Sequence, residues 1–274
     1  MTYLDKLFNL KDRVVVITGG AGVLATEMTK GLGMAGCKLV ILDLKPGAAE
    51  SQASQLKTLG VEAIGLTANV LQEESLVSCR EKIIKEFGSL DVLINAAGGN
   101  MPGATIGPDQ TFFDLNLDDL KKVMDLNFIG SVLPSQVFGK AMTDKGEGCI
   151  INISSMAAGP VITRVMGYSA SKAGISNFTQ WLAVEMAQKF GEGIRVNAIA
   201  PGFFIGEQNR RLLTNEDGSY TERGMDVIKK TPMARFGLAE ELVGAVLYLA
   251  GDASKFVTGT IMPIDGGFSA FSGV

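Results

Sequence analysis

Histidine is absent from all 274 residues, and cysteine occurs only at Cys37, Cys79 and Cys149. Without imidazole there can be no Ser-His or Cys-His nucleophile pair, and the commonest zinc ligand is missing, so no metal site is expected. Acid–base chemistry must then come from Tyr, Lys, Asp, Glu or Ser. The three cysteines show no paired spacing, which fits a reducing compartment, and the cytoplasm is the expected location. The formal charge is −4 and no run of Lys and Arg interrupts it. Nucleic acid is therefore not an expected partner, since neutralising phosphates needs a basic face. No apolar stretch approaches the roughly 18 residues of a membrane span. The opening Met1-Thr2-Tyr3-Leu4-Asp5 lacks the basic and apolar regions of a signal peptide, so no membrane partner is expected either.

What is present suits a globular chain with a sizeable core: 46% of residues are hydrophobic, 20% are charged, and 34 are glycine. Short apolar runs at Val14–Thr18, Lys38–Asp43, Val61–Leu66, Val92–Asn95, Cys149–Ser154 and Ile194–Ile199 read as buried parallel strands. Helical patterns lie between them. Leu76, Ile83, Ile84 and Phe87 share one face, as do Leu242, Val246 and Leu249. The alternation predicts an α/β fold, a Rossmann-like doubly wound parallel sheet in a single domain spanning residues 1–274. The long polar stretch around 202–233 follows the sixth strand, where a substrate lid would be placed; a surface excursion covering the core is the plainer alternative.

The first strand runs into Thr18-Gly19-Gly20-Ala21-Gly22-Val23-Leu24-Ala25. Gly20-x-Gly22-x-x-Ala25 fits the dinucleotide fingerprint, in which a tight turn brings backbone close to a pyrophosphate at a helix N-terminus. Asp43 ends the second strand. A carboxylate there accepts the ribose hydroxyls of NAD and repels the 2′-phosphate of NADP, although an ordinary turn acid would look the same. Tyr168 and Lys172 are four apart at the start of a helix, hence on one face, a spacing that by itself reads more simply as a surface pair of no consequence. An ammonium beside a phenol favours phenolate and should lower the Tyr168 pKa, making it an acid–base near neutrality. Strand five ends in Asn152-Ile153-Ser154-Ser155, at the sheet edge where ligands of such folds bind. Strand four ends in Asn95-Ala96-Ala97-Gly98-Gly99, small residues against which a flat ring can lie. Asn127, in an otherwise apolar pattern, is either a satisfied buried amide or the positioner of a water or lysine.

With these residues assembled, the chain resembles the short-chain dehydrogenase/reductase family over essentially its whole length. The resemblance rests on Thr18–Ala25, on Asn95 to Gly98, on Asn127, and on Ser155 thirteen residues before Tyr168-x-x-x-Lys172. Pro201-Gly202 and Asp265-Gly266-Gly267 complete it. It implies a catalytic set of Asn127, Ser155, Tyr168 and Lys172. Tyr168 would be the acid–base, Ser155 would bind the substrate oxygen, Lys172 would hold the ribose, and Asn127 would support a water. It also implies an NAD site, with NADP second. That site would comprise Gly19, Gly20, Gly22, Val23, Leu24, Asp43, Asn69, Val70, Asn95, Ala96, Ala97, Gly98, Tyr168, Lys172, Pro201 and Gly202. Three positions, in two places, depart from the family's pattern. Val23 and Ala25 stand where its loop carries glycine, and Gly206 stands where a threonine commonly contacts the nicotinamide.

Within the family the chain is most similar to members acting on sugar acids of the D-fructuronate/D-mannonate type. The segments carrying this are Ala97–Ala104, Phe203–Arg210 and Gly267–Val274. Asn100, Arg164, Asn209 and Arg210 are the expected substrate contacts, the arginines being able to grip a carboxylate. A gluconate 5-dehydrogenase, a 3-oxoacyl reductase and a non-catalytic NAD-binding regulator are the alternatives. Asp43 speaks against the acyl enzyme, which should prefer NADPH. The register of Ser155, Tyr168 and Lys172 speaks against the regulator. The apolar stretch Ile261–Phe268 resembles the last strand, through which family members commonly form homotetramers.

Overall fold

A computed structural model describes residues 2–206 and 210–273. Among them, β1 (Val14–Thr18), β2 (Lys38–Asp43), β3 (Ala63–Thr67), β4 (Val92–Asn95), β5 (Gly148–Ile153), β6 (Ile194–Pro201) and β7 (Ile261–Ile264) form one parallel sheet. Its order is β3-β2-β1-β4-β5-β6-β7, so the strand order reverses between β1 and β4. That reversal opens a crevice at the carboxyl ends of those two strands.

The helices are α1 (Tyr3–Leu7), α2 (Val23–Met34), α3 (Ala48–Thr58), α4 (Glu73–Phe87), α5 (Leu117–Met124), α6 (Gly130–Lys145), α7 (Met166–Phe190), α8 (Arg210–Leu213), α9 (Glu222–Lys230) and α10 (Val243–Ala250). Successive residues of a strand face opposite sides of the sheet. Val15 and Ile17 accordingly pack with Leu32 of α2, Leu56 of α3 and Leu249 of α10. Val14 and Val16 pack instead with Ile83 of α4, Phe138 of α6 and Leu182 of α7. Both faces of the sheet are thus covered, which is why these strands are near-continuous apolar runs.

The structure shifts some expected boundaries. β6 extends to Pro201 because β7 pairs with Ala198–Pro201. β3 begins at Ala63, since the Val61 amide still donates to Leu56 at the exit of α3 (3.1 Å). On α4 the buried face is Leu76, Cys79 and Ile83, while Ile84 is rotated outward and 39% exposed. The stretch after β6 is not bare loop. It carries α8 and α9, a bridge between Thr214 and Tyr220, and a small core of Leu213, Val227 and Phe236. Among the described residues, no helix is long and apolar enough to cross a membrane.

Candidate active site

Because every strand is parallel, the candidate residues at strand ends gather on one edge of the sheet. In register, Thr18 pairs with Leu42 and Asn95, and Asn95 with Asn152. Thr18 is fully buried, and its Oγ1 accepts from the amides of Ala96 and Ala97, each at 3.1 Å. It thereby ties the loop after β4 to the loop after β1. At Gly19 the backbone is left-handed (φ 61°), and a Cβ would lie 2.8 Å from Ala97 Cα, so only glycine suits this position. The Gly22 amide donates to the Gly19 carbonyl (3.0 Å), closing a tight turn. Gly22 then caps α2 without a side chain in the way. The displaced glycine thus leaves the N–H groups of the first helical turn unobstructed, a cradle that suits an anion. Val23 opens the helix at 43% exposed, whereas Ala25 is buried in the core. Leu24 is half-buried against that core.

Asp43 lies beside this cradle. Its carboxylate accepts from the amides of Ala21 (3.2 Å) and Lys45 (3.1 Å), so its oxygens are fixed at the rim of the loop. Each carboxylate oxygen retains a lone pair for a further donor. Asn69 Oδ1 accepts from the Leu71 amide, and buried Val70 would contact any Cβ at Gly130. Gly202 donates its amide to the Ile264 carbonyl (2.9 Å), which joins the Pro201 end of β6 to β7. The Asn95 side chain does not open onto the crevice. It donates to Ser135 (2.9 Å) and to Asn152 (2.8 Å), and Asn152 donates in turn to Thr179 (2.9 Å). This buried network holds β4, β5, α6 and α7 together, and any part Asn95 plays in holding a cofactor comes through the main chain it supports.

The catalytic candidates are brought together by the start of α7. Lys172 is 4% exposed, donates to the Ile153 carbonyl (2.7 Å), and sits 5.5 Å from the Tyr168 ring centre. Burial lowers its pKa to about 8. The Tyr168 pKa is raised, chiefly by burial, and a hydrogen bond with the Ser155 side chain opposes that rise. The expected lowering of the phenol is therefore corrected: burial raises Tyr168, only the Ser155 hydrogen bond opposes it, and the same burial shifts Lys172 downward. Ser155 caps a short turn, its Oγ accepting from the Ala157 amide (3.1 Å). Asn127 is fully buried in a π-helical turn (Asp125–Ile129). Its amide is satisfied by main chain, donating to Gly99 O (2.7 Å) and Val123 O (2.8 Å) and accepting from Gly99 N (3.1 Å). A Cβ at Gly98 would stand 2.7 Å from Asn127 Oδ1 and 3.4 Å from Lys172 Nζ, so glycine is required for this close approach.

The substrate candidates divide. Asn100 donates to Thr105 Oγ1 (2.7 Å) and its buried Oδ1 has no partner among the described residues. Arg164 adopts φ 74°, costing a non-glycine residue ~1–3 kcal/mol, and its carbonyl accepts from the Ile106 amide (3.0 Å). Arg210 is exposed on α8. Asn209 lies outside the described residues. Sequence reasoning passed over Arg223, whose guanidinium donates to Thr163 Oγ1 at 3.4 Å, beside Arg164. The polarity of the segment after β6 was its only signal.

A sheet-edge crevice with a glycine turn at a helix N-terminus, facing a Ser-Tyr-Lys cluster, defines a dinucleotide-dependent oxidoreductase. The chain belongs to the short-chain dehydrogenase/reductase family: residues 20–269 match the profile described as Enoyl-(Acyl carrier protein) reductase. An uncharacterized oxidoreductase of Bacillus subtilis is 44% identical over 97% of this chain and 98% of its own length. The 5-keto-D-gluconate 5-reductase of Escherichia coli K12 is 32% identical over 96% of this chain and 98% of its own. Among solved structures, one from Haemophilus influenzae, provisionally named a D-mannonate oxidoreductase and carrying bound NAD, superposes with TM-score 0.91. It is 44% identical and covers 97% of this chain and 98% of the other.

Proposed function

We propose that the chain interconverts a ketone and a secondary alcohol on a sugar acid with NAD(H), D-fructuronate and D-mannonate being the pair. The observation that carries the reading is the Ser155–Tyr168 contact beside buried Lys172 at the sheet edge, with Arg164 four residues before Tyr168 and Arg223 bonded to Thr163. The glycine turn, the open α2 terminus and Asp43 fit the pyrophosphate and adenosine ribose, and Lys172 fits the second ribose. Asn69, Val70, Ala96, Ala97, Gly98, Pro201 and Gly202 would line the rest. The dinucleotide, when bound, supplies or accepts the hydride. In the reducing direction, the Ser155 and Tyr168 hydroxyls hold the carbonyl oxygen and Tyr168 Oη gives it a proton. The Lys172 ammonium stabilises the phenolate left behind. Asn127 positions Gly98 and Gly99 against this pair. The α8–α9 segment acts as the lid, and copies of the chain assemble as a homotetramer through the β7 end.

The named relatives support a sugar-acid substrate, and the Escherichia coli relative favours 5-keto-D-gluconate as the second candidate. The two keto acids share one carbon skeleton and differ in configuration. Purified protein should therefore be assayed with both, and with an acetoacetyl thioester, using NADH and NADPH. Faster turnover of D-fructuronate with NADH is expected; preference for the thioester with NADPH would defeat the reading.

A further inference from the structure

We propose that Arg164 and Arg223 together form the carboxylate clamp of the substrate site, Arg223 reaching from α9 to the loop that precedes Tyr168. The inference deepens the sugar-acid reading and rests on it. Three observations carry it. First, Arg223 Nη1 donates to Thr163 Oγ1 (3.4 Å), which links the segment after β6 to the loop between β5 and α7. Arg164 is the next residue and lies two before the start of α7, in which Tyr168 occupies the first turn.

Second, other arginines of the chain already have partners, Arg80 donating to the Val137 carbonyl (3.3 Å) among them. Arg13 pairs with Asp252 (2.6 Å), Arg235 pairs with Glu241 (2.6 Å), and Arg195 donates to the Leu249 carbonyl (2.8 Å). Among the described residues, neither Arg164 nor Arg223 has a carboxylate within 4.0 Å. Third, Arg164 is held in the left-handed region, its carbonyl fixed by Ile106. Strained non-glycine backbone persists where surrounding structure imposes it, commonly at a ligand site.

Electrostatics agree with the geometry. Partial burial and then the Arg164 charge lower the Arg223 pKa, while Asp226 on the same helix opposes them and is itself near Lys229 (3.9 Å). Two guanidinium groups within electrostatic reach of each other repel, and a carboxylate bound between them would relieve that repulsion while accepting from both. Arg210 takes no part in this arrangement, being exposed on α8. Because the clamp includes a residue of the segment after β6, binding of the acid would draw that segment toward the Tyr168 loop.

The test compares D-fructuronate with D-fructose, which replaces the carboxylate by CH2OH, in wild type, Arg223→Gln, Arg164→Asn and the double variant. Asn tolerates the left-handed conformation, so Arg164→Asn removes the charge without adding backbone strain. Each single variant should lower the acid-to-ketose ratio of kcat/KM at least tenfold, mainly through KM. The double variant should lose less than the product of the two singles. Arg223→Lys should recover only part, because it keeps the charge and loses the fork. A second arm reads binding without turnover: D-gluconate, but not D-glucitol, should raise the melting temperature of wild type and neither single variant. If D-gluconate stabilises all variants alike and the substrate ratio stays within twofold, the clamp is wrong while the sugar-acid function stands. If wild type turns over no sugar acid, the proposed function falls, and the melting arm alone then judges the arginines.

Discussion

Tyr168 is the only proton donor the proposed reaction needs, and its replacement tests the reaction directly. Tyr168→Phe removes one hydroxyl from a partly enclosed ring and should leave NADH binding, followed by fluorescence titration, nearly intact. Turnover should fall by several orders of magnitude. Retention of more than about a tenth of wild-type kcat, a barrier change under ~1.4 kcal/mol, would remove Tyr168 from the role. Lys172 gives a thermodynamic signature. Burial lowers its folded pKa from the ordinary 10.5 to about 8, so the folded protein binds fewer protons than the unfolded chain between those values. Stability should therefore be lowest below pH 8, where the buried ammonium is charged, and should rise from pH 8 toward pH 10. The raised Tyr168 pKa works in the opposite sense above its ordinary range, which confines the useful window to that interval. Chemical denaturation of wild type and Lys172→Met across it should show the rise in wild type only, on the order of 3 kcal/mol at most.

Among the elements, the β1–α2 turn and the end of β2 act as one unit, because Asp43 accepts the Ala21 amide. Asp43→Ala should weaken NAD and relieve repulsion of the NADP 2′-phosphate, narrowing the ratio of the two kcat/KM values. It should also loosen the turn, since the Ala21 amide loses its acceptor. Wild-type protein that already prefers NADPH at equal concentration would overturn the assignment of Asp43. The glycine pattern was legible in the sequence, but the consequence of its shift was not. That Gly22 serves as the cap of α2 follows from the turn closing on Gly19. Arg223 was hidden for a similar reason: α9 lies about sixty residues from Thr163 along the chain, and only folding brings them together.

For the molecule as a whole, the sheet ends at β7, and the proposed assembly places a second copy against that end. Pro263 offers no N–H to a neighbouring strand, so this edge is a poor template for continuing the sheet. Contact through side chains is the more suitable mode, and large apolar surface is available: Trp181 and Val184 share a face of α7 at 60% and 55% exposed. Sedimentation at micromolar concentration should therefore show a species well above the 28.9 kDa chain. A lone monomer would defeat the assembly. Substituting Trp181 by a charged residue should shift an oligomer toward smaller species.

The sequence by itself determined the fold class, because parallel strands buried on both faces must be continuous apolar runs, and it offered Ser155, Tyr168 and Lys172 as candidates through the family resemblance their order carries. The exclusion of imidazole chemistry also needed nothing but composition. Tertiary structure decided what spacing cannot encode. It enclosed Lys172 enough to bring its pKa to about 8, and it turned the Asn95 side chain into a buried network between strands. It also extended β6 through pairing with β7 and set Arg223 beside Thr163 and Arg164. The physical reason is common to all four: dielectric surroundings, buried hydrogen bonds and charge pairs depend on neighbours distant in the chain, whereas periodicity and turn chemistry are written in consecutive residues.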